Sequence, residues 1–181
     1  MNRQHVTTSK FLSKHLRHAP EALGLTLEEG GWVRVDDLLA GAATEGVVIS
    51  REELTRIVET NDKRRFSFDE TGERIRANQG HSTDVELNLP EVEPPAELFH
   101  GTAEKFLPAI LAEGLRKMDR HDVHLSKDVE TATRVGARRG KPIILAVDAA
   151  RMAADGCKFR LSANGVWLTD HVPPRYLRQT Q

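Results

Sequence analysis

One cysteine, Cys157, is all that the 181-residue chain contains. A single thiol excludes an intramolecular disulfide and a cysteine-rich zinc site. Long hydrophobic runs are also missing, and nothing approaches the roughly 18–20 apolar residues that span a bilayer. Met1 to Ser9 is polar and lacks the apolar core of a secretory leader. These absences set the expectation of a cytoplasmic protein that needs no membrane. Excess charge of one sign is lacking too: Lys plus Arg is 26 and Asp plus Glu is 27, net −1. A protein that coats nucleic acid non-specifically usually carries a basic excess. A phosphate-bearing partner would therefore be met by a local cluster and not by the whole surface. Arginines outnumber lysines, 18 to 8. That ratio suits bidentate phosphate recognition, and it equally follows from a GC-rich genome. With 39% hydrophobic and 29% charged residues, the chain reads as one ordinary folded domain or two small ones.

The seam is Leu89-Pro90-Glu91-Val92-Glu93-Pro94-Pro95-Ala96-Glu97. Three prolines and three glutamates in nine residues cannot form a helix interior or a central strand. The expected organisation is a lobe over residues 1–90, a stiff Pro/Glu linker over 91–97, and a second lobe over 98–181. The first lobe reads as mostly helical. Ser9 is placed to cap a helix that Ala19-Pro20 stops. Trp32 to Val35 is a short strand, and Asp36 or Asp37 caps the next helix. Ser50 to Glu53 is a capping box before Leu54, Ile57 and Val58. Arg65 to Phe68 and Arg74 to Arg76 flank a turn, forming a hairpin. Helices ending in a hairpin suggest a winged-helix-like arrangement.

The second lobe mixes short strands and helices. Strands are expected at Leu98 to His100, Val123 to Leu125 and Ile143 to Val147. A helix is expected over Ala103 to Ala112 with Gly114 as its C′ residue, and another after Asp128 to about Ala137. Asn164-Gly165 is a hairpin signal between Phe159 to Leu161 and Val166 to Leu168.

Four segments carry side chains suited to chemistry, and each also has an ordinary explanation. Arg17-His18 ends a helix, where cations complement the helix dipole. Arg76-Ala77-Asn78-Gln79-Gly80-His81-Ser82 packs hydrogen-bonding groups into a segment that also reads as a polar loop. Gly136-Ala137-Arg138-Arg139-Gly140 is either helix-end charge or an anion grip, since arginine presents a planar fork of donors. It is not a P-loop, because G-x-x-x-x-G-K-[ST] is absent. Phe99-His100-Gly101-Thr102 and His124-Leu125-Ser126 each place a histidine and a hydroxyl at a strand end. Their spacing fits no common zinc pattern, so no metal is expected.

Taken in order with Ser13 to His18, Gly31-Trp32-Val33 and Ser162 to Thr169, these segments resemble the RNA 2′-phosphotransferase (KptA) family along nearly the whole chain. The resemblance implies an α+β protein. Its N-terminal lobe would be a winged-helix RNA lobe, and its C-terminal lobe would have the ADP-ribosyltransferase fold. It implies an enzyme that moves an internal RNA 2′-phosphate, as left at a tRNA splice junction, onto NAD⁺, and a monomer is the expectation. In the implied first step the phosphate displaces nicotinamide, giving an RNA 2′-phospho-ADP-ribose intermediate. The neighbouring ribose hydroxyl then attacks phosphorus, releasing 2′-OH RNA and ADP-ribose 1″,2″-cyclic phosphate.

By the same resemblance Arg17, His18, Arg76 and Arg138 are the catalytic set. His100, Gly101, Thr102, His124, Ser126 and Val166 would contact NAD⁺, and Asn78, Gln79 and His81 would shape the RNA phosphate pocket. Phe99 stands where the family pattern has tyrosine, and Arg139 where it has histidine. A phosphate monoester is already a charged nucleophile. An apolar Val166 is then understandable, since a carboxylate there would repel the incoming phosphate. Two other readings stay open on sequence: an ADP-ribosyltransferase that stops after the first step, and a non-enzymatic winged-helix regulator. Residues 51–60, with three glutamates and two arginines, make a poor basic recognition helix.

Overall fold

Helix α1 spans Arg3–Arg17 and begins well before Ser9, the expected cap. Thr7 and Thr8 donate their hydroxyls to the carbonyls of Arg3 and Gln4, one turn back. Their polar groups are thus satisfied inside the helix. Ser9 is buried and accepts from the amide of Asn61 at 3.3 Å. A hydroxyl that sequence suggests as a cap is instead a tertiary contact. The computed structural model describes residues 3–61, 63–83, 87–118 and 120–180. Met1, Asn2, Asp62, residues 84–86, Asp119 and Gln181 fall within the two expected lobes and lie outside the described residues.

The chain forms two compact units, Met1–Asn88 and Leu89–Gln181. In the first, α1 is followed by strand β1 (Val33–Arg34), helix α2 (Val35–Thr44), helix α3 (Arg51–Thr60), strand β2 (Phe66–Phe68) and strand β3 (Arg74–Ala77). The strands form one antiparallel sheet in the order β1-β3-β2. Strand β1 is two residues long because α2 starts at Val35. Asp36 and Asp37 therefore sit in the first helical turn, where acidic groups complement the dipole, and neither caps it. Ser50 does cap α3, accepting from Glu53 N–H at 3.0 Å. Leu12, Leu16, Val35, Leu38, Leu54, Ile57 and Ile75 are fully buried in one core. Each such side chain contributes about 1.5–3 kcal/mol by leaving water.

The second unit runs through β4 (Glu97–Ala103), α4 (Leu107–Glu113), β5 (Leu115–Arg116), β6 (Val123–Leu125), α5 (Val129–Gly136) and β7 (Pro142–Asp148). It continues with α6 (Ala149–Ala154), β8 (Phe159–Leu161), β9 (Trp167–Thr169), β10 (His171–Val172) and β11 (Leu177–Gln179). Two antiparallel three-stranded sheets result, β11-β7-β4 and β6-β9-β8, with β5 and β10 as a separate pair. Phe99 and Ser126 join the two sheets by exchanging main-chain hydrogen bonds of 2.8 and 2.7 Å.

The expected helix after Ala103 is shorter, because a 3-10 turn occupies Glu104–Phe106 and Pro108 lies in the first turn of α4. Gly114 is its C-cap and not the left-handed residue beyond it. Asp128 caps α5, accepting from Thr131 N–H at 2.7 Å. Residues 91–97 run against the second unit: Glu91 bridges Arg160, Val92 N–H donates to Phe159, and Glu97 already pairs with Asp148 in β4. Among the described residues no helix is long and apolar enough to cross a membrane.

Candidate functional site

In the first unit, the C-terminal end of α1 meets the segment that leaves β3. The last carbonyls of a helix lack internal partners. Here the Arg17 carbonyl accepts from Ser82 N–H at 2.9 Å and from the amide and hydroxyl of Thr83 at 3.4 Å. His18 Nδ1 and Ser82 Oγ share a hydrogen bond of 2.8 Å. Arg17, His18 and the 78–83 loop are thus fastened together, although 60 or more residues separate them in sequence.

Asn78 anchors that loop. Its N–H donates to the Arg65 carbonyl at 2.8 Å and its Nδ2 to the Arg64 carbonyl at 2.6 Å. A carbonyl only accepts, so Nδ2 is the atom facing Arg64. Asn78 Oδ1 and Gln79 Oε1 are buried with no hydrogen-bond partner among the described residues. His81 is 2% exposed, against Gly31, where a Cβ would come within 3.2 Å of its Nε2.

Arg76 lies in β3 and α1 packs on that strand. Its guanidinium lies 4.5 Å from the Trp32 ring centre and donates from Nη1 to the Gly30 carbonyl at 3.3 Å. Its Nε is buried without a partner, and partial burial holds its pKa below the ordinary value. Arg76 makes no ion pair among the described residues. Arg74, two residues earlier, is neutralised by Asp69 at 2.8 Å and Glu28 at 3.4 Å. A cleft of about 420 Å³ borders Gly30, Trp32, Arg74 and Arg76, and the carboxylates of Glu28, which pairs with Arg74, and Glu29 line it too.

The second unit brings its histidines together. His100 Nδ1 bonds to the carbonyl of His124 at 3.1 Å. Burial lowers the His100 pKa; the carbonyl contact opposes this and the Arg139 charge adds to it. A carbonyl only accepts, so the His100 Nδ1 carries the proton donated to His124. Arg120 Nη1 donates to His124 Nδ1 at 3.0 Å. Burial also lowers the Arg120 pKa, and the positive charges of Arg139 and Arg138 lower it further. Three arginines thus share one field, and none of them has a carboxylate partner among the described residues. Arg138 is exposed on the 3-10 turn Ala137–Arg139 that follows α5, and Arg139 lies 5.7 Å from the Phe106 ring centre.

Thr102 is buried on the same face of β4 as His100. Gly101 faces the other way. A Cβ there would lie 1.7 Å from the Ala132 carbonyl oxygen and 2.9 Å from Gly136 N, so α5 crosses directly over it. Ser126 follows β6 beside Phe99, and Val166 precedes β9, held by its N–H to Ser162 Oγ at 3.0 Å. Arg120 and Trp32 are the contacts that sequence reading missed as site elements. The Trp32–Arg76 pairing is remote in sequence, and Arg120 sits in the irregular turn directly before β6, where no period predicts its contact with His124. Among the described residues no group of three or more His, Cys, Asp or Glu is arranged to hold a metal.

Each unit thus carries guanidinium groups that have no carboxylate partner among the described residues. The class is settled by comparison: residues 3–171 match the model of the RNA 2′-phosphotransferase, Tpt1 / KptA family. The chain belongs to that family of RNA 2′-phosphotransferases. It is 63% identical over 173 residues to a probable RNA 2′-phosphotransferase of Streptomyces coelicolor, covering 96% of this chain and 94% of the relative. A protein of the same description from Trichormus variabilis is 60% identical over 172 residues, 95% and 94% of the two chains. One from Agrobacterium fabrum is 57% identical over 170 residues, 94% and 91% of the two.

Proposed function

We propose that the protein removes an internal RNA 2′-phosphate by transferring it to NAD⁺ in two steps. In this reading the first unit is a winged-helix RNA lobe. The helix and strand order of the first unit and its β1-β3-β2 sheet support that assignment. The second unit is an ADP-ribosyltransferase-type lobe, an assignment supported by two small antiparallel sheets that the Phe99–Ser126 bridge joins at the β4 edge. The observation that carries the reading is Arg76: a partly buried guanidinium, aligned by its neighbours and without a carboxylate. Such a group suits a dianionic phosphate ester.

The donor set of the second unit fits a dinucleotide. Arg120, Arg138 and Arg139 supply positive charge for a pyrophosphate, and His100, Thr102, His124 and Ser126 supply neutral contacts. The co-substrate provides an electrophilic ribose carbon with nicotinamide as leaving group. The RNA 2′-phosphate attacks that carbon through one of its own oxygens, so the first step needs no general base. Arg17 and Arg76 hold the phosphate oxygens, and Arg138 balances charge on the transferring phosphoryl group. In the second step the ribose 2″-hydroxyl of the ADP-ribose attacks phosphorus as the RNA 2′-oxygen departs, and His18, oriented by Ser82, exchanges a proton between them. The products are nicotinamide, RNA with a 2′-OH, and ADP-ribose 1″,2″-cyclic phosphate.

The test is incubation of the protein with a short RNA bearing one internal 2′-phosphate, with and without NAD⁺, resolved by gel and mass spectrometry. NAD⁺-dependent loss of phosphate with the cyclic coproduct is expected. Stable ADP-ribosylated RNA would instead define a transferase that stops after the first step. Arg76→Ala and Arg138→Ala are expected to lower the rate by about 10²–10³. His18→Ala should let the ADP-ribosylated RNA accumulate; a loss confined to the first step would refute its role.

A further inference from the structure

We infer that Trp32 is a positioning residue for the substrate phosphate, acting through Arg76. This rests on the reading of Arg76 as a phosphate contact and extends it to a residue outside the expected site. A turn closes residues 28–32: Gly31 N–H donates to the Glu28 carbonyl and Glu28 N–H to the Trp32 carbonyl, both at 2.8 Å. Gly30 and Gly31 have φ of 84° and 78°, a region that residues with a Cβ rarely adopt. A Cβ on Gly30 would lie 3.1 Å from the Trp32 ring and 3.7 Å from Arg76 Nη1. The paired glycines therefore let the indole fold back beside the turn and lie against the strand that carries Arg76.

Two arginines lie over that ring, Arg76 at 4.5 Å and Arg74 at 5.7 Å from its centre. Their side chains share a face of β3, since strand residues two apart point the same way. Their surroundings separate them. Asp69 and Glu28 compensate the charge of Arg74. Among the described residues Arg76 meets the ring face and one carbonyl and pairs with no carboxylate. An aromatic face attracts a guanidinium without compensating its charge. Trp32 can thus fix the plane of the Arg76 fork while its full positive charge stays available to an anion. A carboxylate in the same place would orient the guanidinium equally well and would repel the phosphate.

The experiment measures binding of an RNA carrying one internal 2′-phosphate, relative to the same RNA with a 2′-OH, in the absence of NAD⁺. The proteins are the full chain, Trp32→Phe, Trp32→Met, Arg76→Gln and the Trp32→Met/Arg76→Gln double variant. Trp32→Met keeps an apolar side chain but removes the ring face. It is expected to lower the selective affinity about tenfold, while Trp32→Phe stays within about threefold. In the Arg76→Gln background Trp32→Met should add nothing. Loss of the same size in both backgrounds would mean that Trp32 acts independently of Arg76 and would overturn the inference. So would equal affinity of Trp32→Met and the unmodified chain while Arg76→Gln is impaired, an outcome that leaves the phosphate reading of Arg76 intact. Unchanged selectivity in Arg76→Gln would overturn that reading itself and this inference with it.

Discussion

Substituting Gly101 by alanine tests the crossing of α5 over β4, on which the placement of Arg138 depends. The added carbon would lie 1.7 Å from the Ala132 carbonyl oxygen, 2.7 Å from its carbonyl carbon and 2.9 Å from Gly136 N. All three are backbone atoms, so no side chain can swing aside. To restore ordinary contact the helix must retreat by roughly 1.5 Å or more. Overpacking costs about 1–3 kcal/mol when side chains can adapt, and a backbone clash belongs at the upper end, about 3 kcal/mol.

For a unit of this size that corresponds to a fall of about 2 M in the urea midpoint. Trp167, 8% exposed in the core of the second unit, reports its unfolding by fluorescence once Trp32 is replaced by phenylalanine. Gly136→Ala is the internal comparison. Its nearest contact would be 2.9 Å to the Thr102 carbonyl oxygen, and Gly136 has helical φ of −64°. That overlap is also with backbone but much milder, and up to about 1 kcal/mol of helix propensity gained by alanine offsets it. Gly101→Ala should therefore be the more damaging. An unchanged midpoint, or the reverse order, would refute the close crossing.

Ser50→Ala should destabilise the first unit by about 1 kcal/mol through loss of the α3 cap, read as a lower urea midpoint. Asp69 has its pKa pushed far below the usual carboxylate range, chiefly by its hydrogen bond from Arg74, with those from Thr71 and the Arg74 amide adding to it. Its contribution is complete above the ordinary carboxylate pKa and is lost as pH falls through the depressed folded value. Asp69→Asn should accordingly flatten the acid limb of the stability curve. His100 binds its proton less readily when folded than when unfolded, mainly because it is buried. Its neutral form thus contributes fully above the ordinary histidine pKa, and the contribution declines as pH falls below it. An NMR titration should find His100 charging only below that value, and His100→Gln should remove its part of the pH dependence of stability.

Local chemistry was legible in the sequence where its partners are close along the chain. The caps at Ser50 and Asp128 each join a side chain to an amide three residues on. The hairpins β2–β3 and β8–β9 turn within a few residues, so alternation and turn residues were enough to find them. The N-terminal boundary of α1 was not legible, because Ser9 looks like a cap until Asn61, 52 residues away, takes its hydroxyl. Strand β11 was invisible for a similar reason: its place beside β7 depends on a partner thirty residues earlier. For the candidate site, the histidines and arginines were legible by resemblance as a set. Their supports were not: Trp32 meets Arg76 from 44 residues away, and Arg120, though only four residues before His124, lies in an irregular segment where no helical or strand period predicts that the two side chains meet.

The clasp between the two sheets of the second unit bears on how freely its sequence can drift. Phe99 and Ser126 are joined only through amides and carbonyls. The bond pattern is therefore indifferent to what either side chain carries. Residue 99 shares the Gly101 face of β4, opposite His100, so exchanging a phenol for a phenyl there changes that face but not where His100 stands. The position is a place where a lineage can change one face of the strand without renegotiating the hydrogen-bonded scaffold beneath it.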